Sequence, residues 1–78
     1  MMVTLYSTVG CHLCEEAELL LVRLRDSHTQ LSWQTIDIAD SDDLVERYGI
    51  RIPVVRMDDS ELGWPFNLNE LAEFLEQA

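Results

Sequence analysis

The chain contains no lysine, and its five arginines stand against fifteen aspartates and glutamates, giving a formal net charge of −10 over 78 residues. With no basic stripe to displace counterions it repels phosphate backbones and anionic lipid surfaces, which excludes nucleic-acid binding and membrane-surface binding. Long apolar runs are missing too: none approaches the ~20 residues of a membrane-spanning helix. The opening MMVTLYSTVG lacks a basic region followed by a long apolar one, so the expected location is the cytoplasm. Three glycines and two prolines mark turns without building a linker or a low-complexity tract, and no segment repeats. There are only two cysteines, three positions apart. Such a pair cannot staple a small secreted fold, whereas in a reducing compartment it is catalytic or metal-binding. What is present is 47% apolar residues, too many for a disordered chain. The length predicts one domain over 1–78 with a single modest core.

Met2 to Tyr6 alternates as a strand and runs into Ser7-Thr8-Val9-Gly10. From Cys11 to about Ser27 the period becomes helical, with Leu13, Ala17, Leu20, Leu21 and Leu24 on one face. Trp33 to Ile38 predicts a second strand. Ala39 to Asp43 is a cluster of capping residues opening a short helix to Tyr48, and Gly49 is expected to stop it in the left-handed conformation. Pro53–Met57 and Glu61–Trp64, joined by the turn Asp58-Asp59-Ser60, predict a hairpin. Asn67 followed three residues later by Glu70 is a capping box, and Leu68, Leu71, Ala72, Phe74 and Leu75 continue the last helix. The order is β-α-β-α-β-β-α: an α/β fold whose first βαβ unit gives parallel strands and whose hairpin gives antiparallel ones, in a mixed four-stranded sheet with helices on both faces.

The chemistry centres on Gly10-Cys11-His12-Leu13-Cys14-Glu15-Glu16. With Leu13, Ala17, Leu20 and Leu24 as the middle of the buried stripe, Cys14 falls at its margin and Cys11 at the exposed helix start. There the unpaired N–H groups and the helix dipole favour negative charge and lower a thiol pKa from its free value near ~8.5. Cys11 is therefore the expected attacker and Cys14, one turn along, the resolver. Glu15 lies four residues after Cys11 and opposes its thiolate weakly, while Glu15, Glu16 and Glu18 together complement the dipole at the helix start. His12 reads as a solvent-facing spacer. A closed zinc site takes four ligands, and His28, about four turns away, is out of reach of Cys11, Cys14 and His12. No metal is expected within one chain, and a zinc or iron-sulfur site bridging two chains stays as an alternative. A further alternative is a non-catalytic module that binds a protein partner through Leu19 and Val22, which lie off the buried stripe.

The strand-loop-CHLC-helix start, with Tyr48-Gly49-Ile50-Arg51-Ile52-Pro53-Val54 about forty residues later, resembles the thioredoxin-fold superfamily, and within it a small bacterial glutaredoxin-like family. The resemblance implies a thioredoxin-like fold and thiol-disulfide oxidoreductase activity on a protein or small-molecule disulfide. It implies no cofactor beyond an external reductant, glutathione or a thioredoxin reductase. It implies further that Pro53 follows a cis peptide bond and faces the cysteines, that the backbone of Ile52 pairs with substrate, and that Leu13, inside the motif, contributes to substrate binding beside Cys11 and Cys14. In this chain Arg51-Ile52 stands where Thr-Val precedes the family's proline, and Gly63-Trp64-Pro65-Phe66-Asn67 where a Gly-Gly-Asp segment holds glutathione.

Overall fold

The architecture, taken from a computed structural model that describes residues 1–77, grows from the first strand, β1 (Met2–Ser7). Its side chains alternate between two faces, as a pleated strand requires. Val3 and Leu5 enter one apolar cluster, and Tyr6 enters another on the opposite side. Helix α1 (His12–Arg25) carries the chain back so that β2 (Ser32–Asp37) pairs parallel with β1, from Met2 opposite Ser32 to Ser7 opposite Asp37. On its other edge β1 pairs antiparallel with β3 (Val54–Met57), Tyr6 opposite Val54, and β3 pairs antiparallel with β4 (Ser60–Gly63). The sheet order is β2-β1-β3-β4. Ala17, Leu21 and Leu24 of α1 and Leu71 and Leu75 of α3 (Leu68–Glu76) share the cluster of Val3 and Leu5. Tyr48, at the end of α2 (Asp42–Tyr48), packs with Tyr6, Ile38 and Val54 on the other face. The mixed sheet and the helices on both faces are thus as the sequence predicts.

Three local expectations are corrected. Leu13 does not belong to the buried stripe of α1: it is 43% exposed, and Cys14, 3% exposed, takes the place with Ala17, Leu21 and Leu24. The spacing 14, 17, 21, 24 is the helical one, and a cysteine buries as a small apolar residue, so it leads the stripe and is not at its margin. Gly49 ends α2 with φ −52°, not in the left-handed region, its N–H donating to the Val45 carbonyl at 2.8 Å. A Cβ there would come within 2.5 Å of the Val45 oxygen, so what the position requires is lack of bulk, not left-handed freedom. Finally, β2 and β4 each start one residue earlier than predicted. Ile38 leaves β2 to open a 3₁₀ turn, Ile38–Asp40, with its side chain in the second cluster. The hairpin turns on Asp58-Asp59 alone, with Met57 opposite Ser60 and Asp58 at φ 55°, a region aspartate tolerates.

Helix starts follow the sequence closely. The Ser41 hydroxyl accepts from Leu44 N–H at 3.4 Å to cap α2. Both bonds of the Asn67/Glu70 capping box are present, at 2.8 and 2.9 Å. No helix among the described residues is long and apolar enough to cross a membrane.

Candidate redox site

The loop from β1 to α1 is short and turned by Gly10, whose φ of +80° an L side chain rarely adopts. Cys11 follows as the N-cap of α1, its N–H donating to the Thr8 carbonyl at 3.3 Å and its carbonyl accepting from Glu15 N–H at 3.3 Å. Its Sγ also accepts from Cys14 N–H at 3.1 Å. The sulfur therefore sits where the unpaired donors of a helix start point, which is what stabilises a thiolate. Cys11 and Cys14 are joined as a disulfide, with Cα atoms 5.2 Å apart.

The two sulfurs differ in surroundings. Cys14 is buried at the head of the apolar stripe, while Cys11 is half-buried. Both line an open cavity of about 560 Å³ together with Thr8, Val9, Glu15, Glu18 and Leu19. Glu15 and Glu18 follow Cys11 by four and seven positions, the spacing of one helical face, which is the signal that could have named Glu18 as a neighbour of the site. His12 has a side chain 83% exposed, 3.8 Å from the Glu15 carboxylate. A pair so exposed contributes little, which fits a spacer. Among the described residues no group of three or more His, Cys, Asp or Glu side chains is placed to hold a metal ion. A metal on this pair would need ligands from a second chain.

The other expected site residues are placed as follows. The Ile52–Pro53 bond is cis, and Pro53 is buried. Tyr6 is opposite Val54, so Pro53 enters the sheet at the end where β1 leaves for the cysteine loop. Ile52 is half-buried against the second cluster, and its N–H donates to the Tyr48 carbonyl at 3.1 Å. That donor is thereby taken, which leaves the Ile52 carbonyl as the group of this peptide that could pair with a substrate. Leu13 is exposed, directly before Cys14 and two residues after Cys11. Leu13, Ile52 and Pro53 are not among the residues lining the cavity at Cys11.

Sequence reasoning missed the support beneath this loop. Tyr48 is fully buried, stacks on Tyr6 with ring centroids 4.3 Å apart, and donates its hydroxyl to Glu61 of β4. Arg51 lies over the Tyr48 ring and 3.4 Å from the Glu61 carboxylate. Burial, then the bond to Glu61, raises the Tyr48 pKa above its usual value, and donation from Tyr48 holds Glu61 below the usual carboxylate range. The segment before Pro53 is thus tied to β4 through Tyr48 and Arg51. Away from the cysteines, Trp64 and Phe66 meet edge to face at 5.0 Å. With Leu19, Leu20 and Val22 they line a second cavity of about 710 Å³, and Phe66 also packs in the core.

Comparison with known proteins places this geometry. Residues 2–76 match the glutaredoxin-like domain (DUF836). The X-ray structure of Northeast Structural Genomics target protein XcR50 from X. campestris is similar at 35% identity, with 97% of each chain covered and a TM-score of 0.87. Its solution structure is also 35% identical, covers 100% of this chain and 96% of that one, and gives a TM-score of 0.84. Thioredoxin 1 from Thermosipho africanus TCF52B shares the fold at 16% identity, with 99% and 92% covered and a TM-score of 0.66. No curated protein matches. A thioredoxin-type sheet that carries a Cys-x-x-Cys pair at the first helix start, matched from Met2 to Glu76, makes this chain a member of the glutaredoxin-like domain family with a thioredoxin-like fold.

Proposed function

We propose that the protein is a thiol-disulfide oxidoreductase in which Cys11 attacks and Cys14 resolves. The observation that carries this reading is the asymmetry of the pair: Cys11 is the half-buried N-cap at the edge of a cavity, and Cys14 is buried one turn along within disulfide reach. In the reduced protein the Cys11 thiolate attacks one sulfur of a substrate disulfide and expels the other half as a thiolate, which takes up a proton. The Cys14 thiolate then attacks Cys11 Sγ and expels the second half, so the protein loses two electrons and two protons and the substrate becomes two thiols. An external reductant, glutathione or a thioredoxin reductase, restores the dithiol. The reading places the protein in a reducing compartment, the cytoplasm, as one domain with Leu13, the Ile52 carbonyl and Pro53 forming the substrate-binding edge.

The test is oxidation of the reduced protein by a neutral small disulfide, hydroxyethyl disulfide. The expected result is two molecules of mercaptoethanol released per chain and an internal Cys11–Cys14 bond in the wild type, and no such turnover in Cys11→Ser. Failure of the reduced wild type to exchange faster than a free monothiol would overturn the reading. The exposed Leu19 beside the apolar cavity of Trp64 and Phe66 favours a second reading, a module that binds a partner. On that reading Cys11→Ser keeps its partner and its biological effect.

A further inference from the structure

Resting on the redox reading above, we propose that the site selects disulfides carrying positive charge beside the reacting sulfur, with Glu15 and Glu18 as specificity-determining residues, and that it disfavours the anionic glutathione disulfide. The cavity that holds Cys11 and Cys14 has two ionisable side chains besides the cysteines, Glu15 and Glu18, and both are carboxylates and exposed. Ser7, Thr8, Val9, Gly10 and Leu19 supply the rest of the rim and carry no charge. A leaving group or flanking residue seated there meets negative charge alone.

The fold adds to that field. Because β1 and β2 run parallel with Ser7 opposite Asp37, the acidic segment that follows β2, with Asp40, Asp42 and Asp43, begins at the same end of the sheet as the cysteine loop. None of the five arginines lines the cavity at Cys11: Arg47 lies beside Asp43 on α2, and Arg56 donates to the Asp58 carbonyl at 2.9 Å. Arg23 and Arg25 are twelve and fourteen residues along α1, roughly 18–21 Å from Cys11 at 1.5 Å per residue. Arg51 is occupied by Glu61 and the face of Tyr48. His12 leans on Glu15 at 3.8 Å and is not among the residues lining the cavity. The redox pair itself says that the ligand of this cavity is a disulfide, and the rim says which sign of charge it can carry.

The experiment compares cystamine, with an ammonium at each end, and glutathione disulfide as oxidants of the reduced protein. Each rate is divided by that of dithiothreitol with the same disulfide, so that intrinsic reactivity cancels. The cystamine-to-glutathione ratio is expected to exceed unity by on the order of tenfold at low salt and to shrink in high salt, as charge steering does. Glu15→Gln with Glu18→Gln should reduce the ratio several-fold. A change in Cys11 reactivity moves both rates together and leaves the ratio alone. Glu73→Gln on α3 should leave the ratio as in the wild type. A peptide disulfide flanked by arginines, run beside the same peptide with aspartates, should show the same order, and its rate relative to cystamine tells whether a polypeptide or a small molecule fits better. A normalised ratio near unity, or one that the double variant does not move, overturns the inference while leaving the redox reading intact. Failure to exchange with either disulfide overturns the redox reading and the inference with it.

Discussion

Tyr48 joins three elements through one side chain: its ring stacks on Tyr6 of β1, its hydroxyl donates to Glu61 of β4, and its carbonyl receives the N–H groups of Arg51 and Ile52. Replacing it by phenylalanine keeps the stack and removes the donor, which should cost about 1–2 kcal/mol near neutral pH. The pH dependence has a definite sign. Glu61 is held below its ordinary value of 4.5 by Tyr48, so its contribution is present above that pH and is lost as pH falls through the folded-state value. Tyr48 is raised above 10.0 by burial, so its contribution is intact below that pH and is lost as pH rises beyond it. Urea titrations should therefore show the gap between wild type and Tyr48→Phe widest between these limits and narrowing below about pH 4.5. Gly49 offers a second residue-scale check. Its φ of −52° suits alanine, and propensity alone would favour the change, but the Cβ would meet the Val45 carbonyl at 2.5 Å. Gly49→Ala should lose about 1–3 kcal/mol, as overpacking does.

Helix starts decide most at the scale of elements. Asn67→Ala removes one half of the capping box of α3 and should cost about 1 kcal/mol, read as a lower urea midpoint with an unchanged slope. At α1 the cap is Cys11, the proposed attacker. Cys11→Ser replaces sulfur by a good capping oxygen and should match the reduced wild type in stability within about 0.5 kcal/mol, whereas Cys11→Ala should lose about 1 kcal/mol. Loss of activity in the serine variant then reports chemistry, not a frayed helix. The strands, the hairpin and the capped helices were legible because each is written locally: alternation in Met2–Tyr6, acidic caps before α2, the Asn67/Glu70 spacing. What was not legible depends on contacts between distant segments. Leu13 outranked Cys14 as a core residue only because leucine is the more apolar type, and the tertiary packing that leaves Cys14 3% exposed is absent from a helical wheel. Tyr48 read as the end of a short helix, since its partners Tyr6 and Glu61 lie 42 and 13 positions away. The cis bond before Pro53 came from resemblance, because nothing local distinguishes it from a trans one.

The whole molecule carries a net charge of −10 on a chain of 78 residues, so the folded state works against its own repulsion. Raising ionic strength from about 0.01 M to 0.15 M shortens the screening length from roughly 30 Å to 8 Å and should raise the melting temperature by a few degrees. The same charge surrounds a Cys-x-x-Cys pair whose two members the fold has made unequal, one at the cavity edge and one in the core. That inequality is the central claim, and trapping tests it most directly. Reduced Cys14→Ser, reacted with a slight excess of cystamine and quenched in acid, should show by mass spectrometry one cysteamine adduct per chain, mapped to Cys11. Reduced Cys11→Ser under the same conditions should remain unmodified. An adduct on Cys14 in the Cys11→Ser protein at a comparable rate would mean that the two thiols are interchangeable and that the assignment of attacker and resolver is wrong.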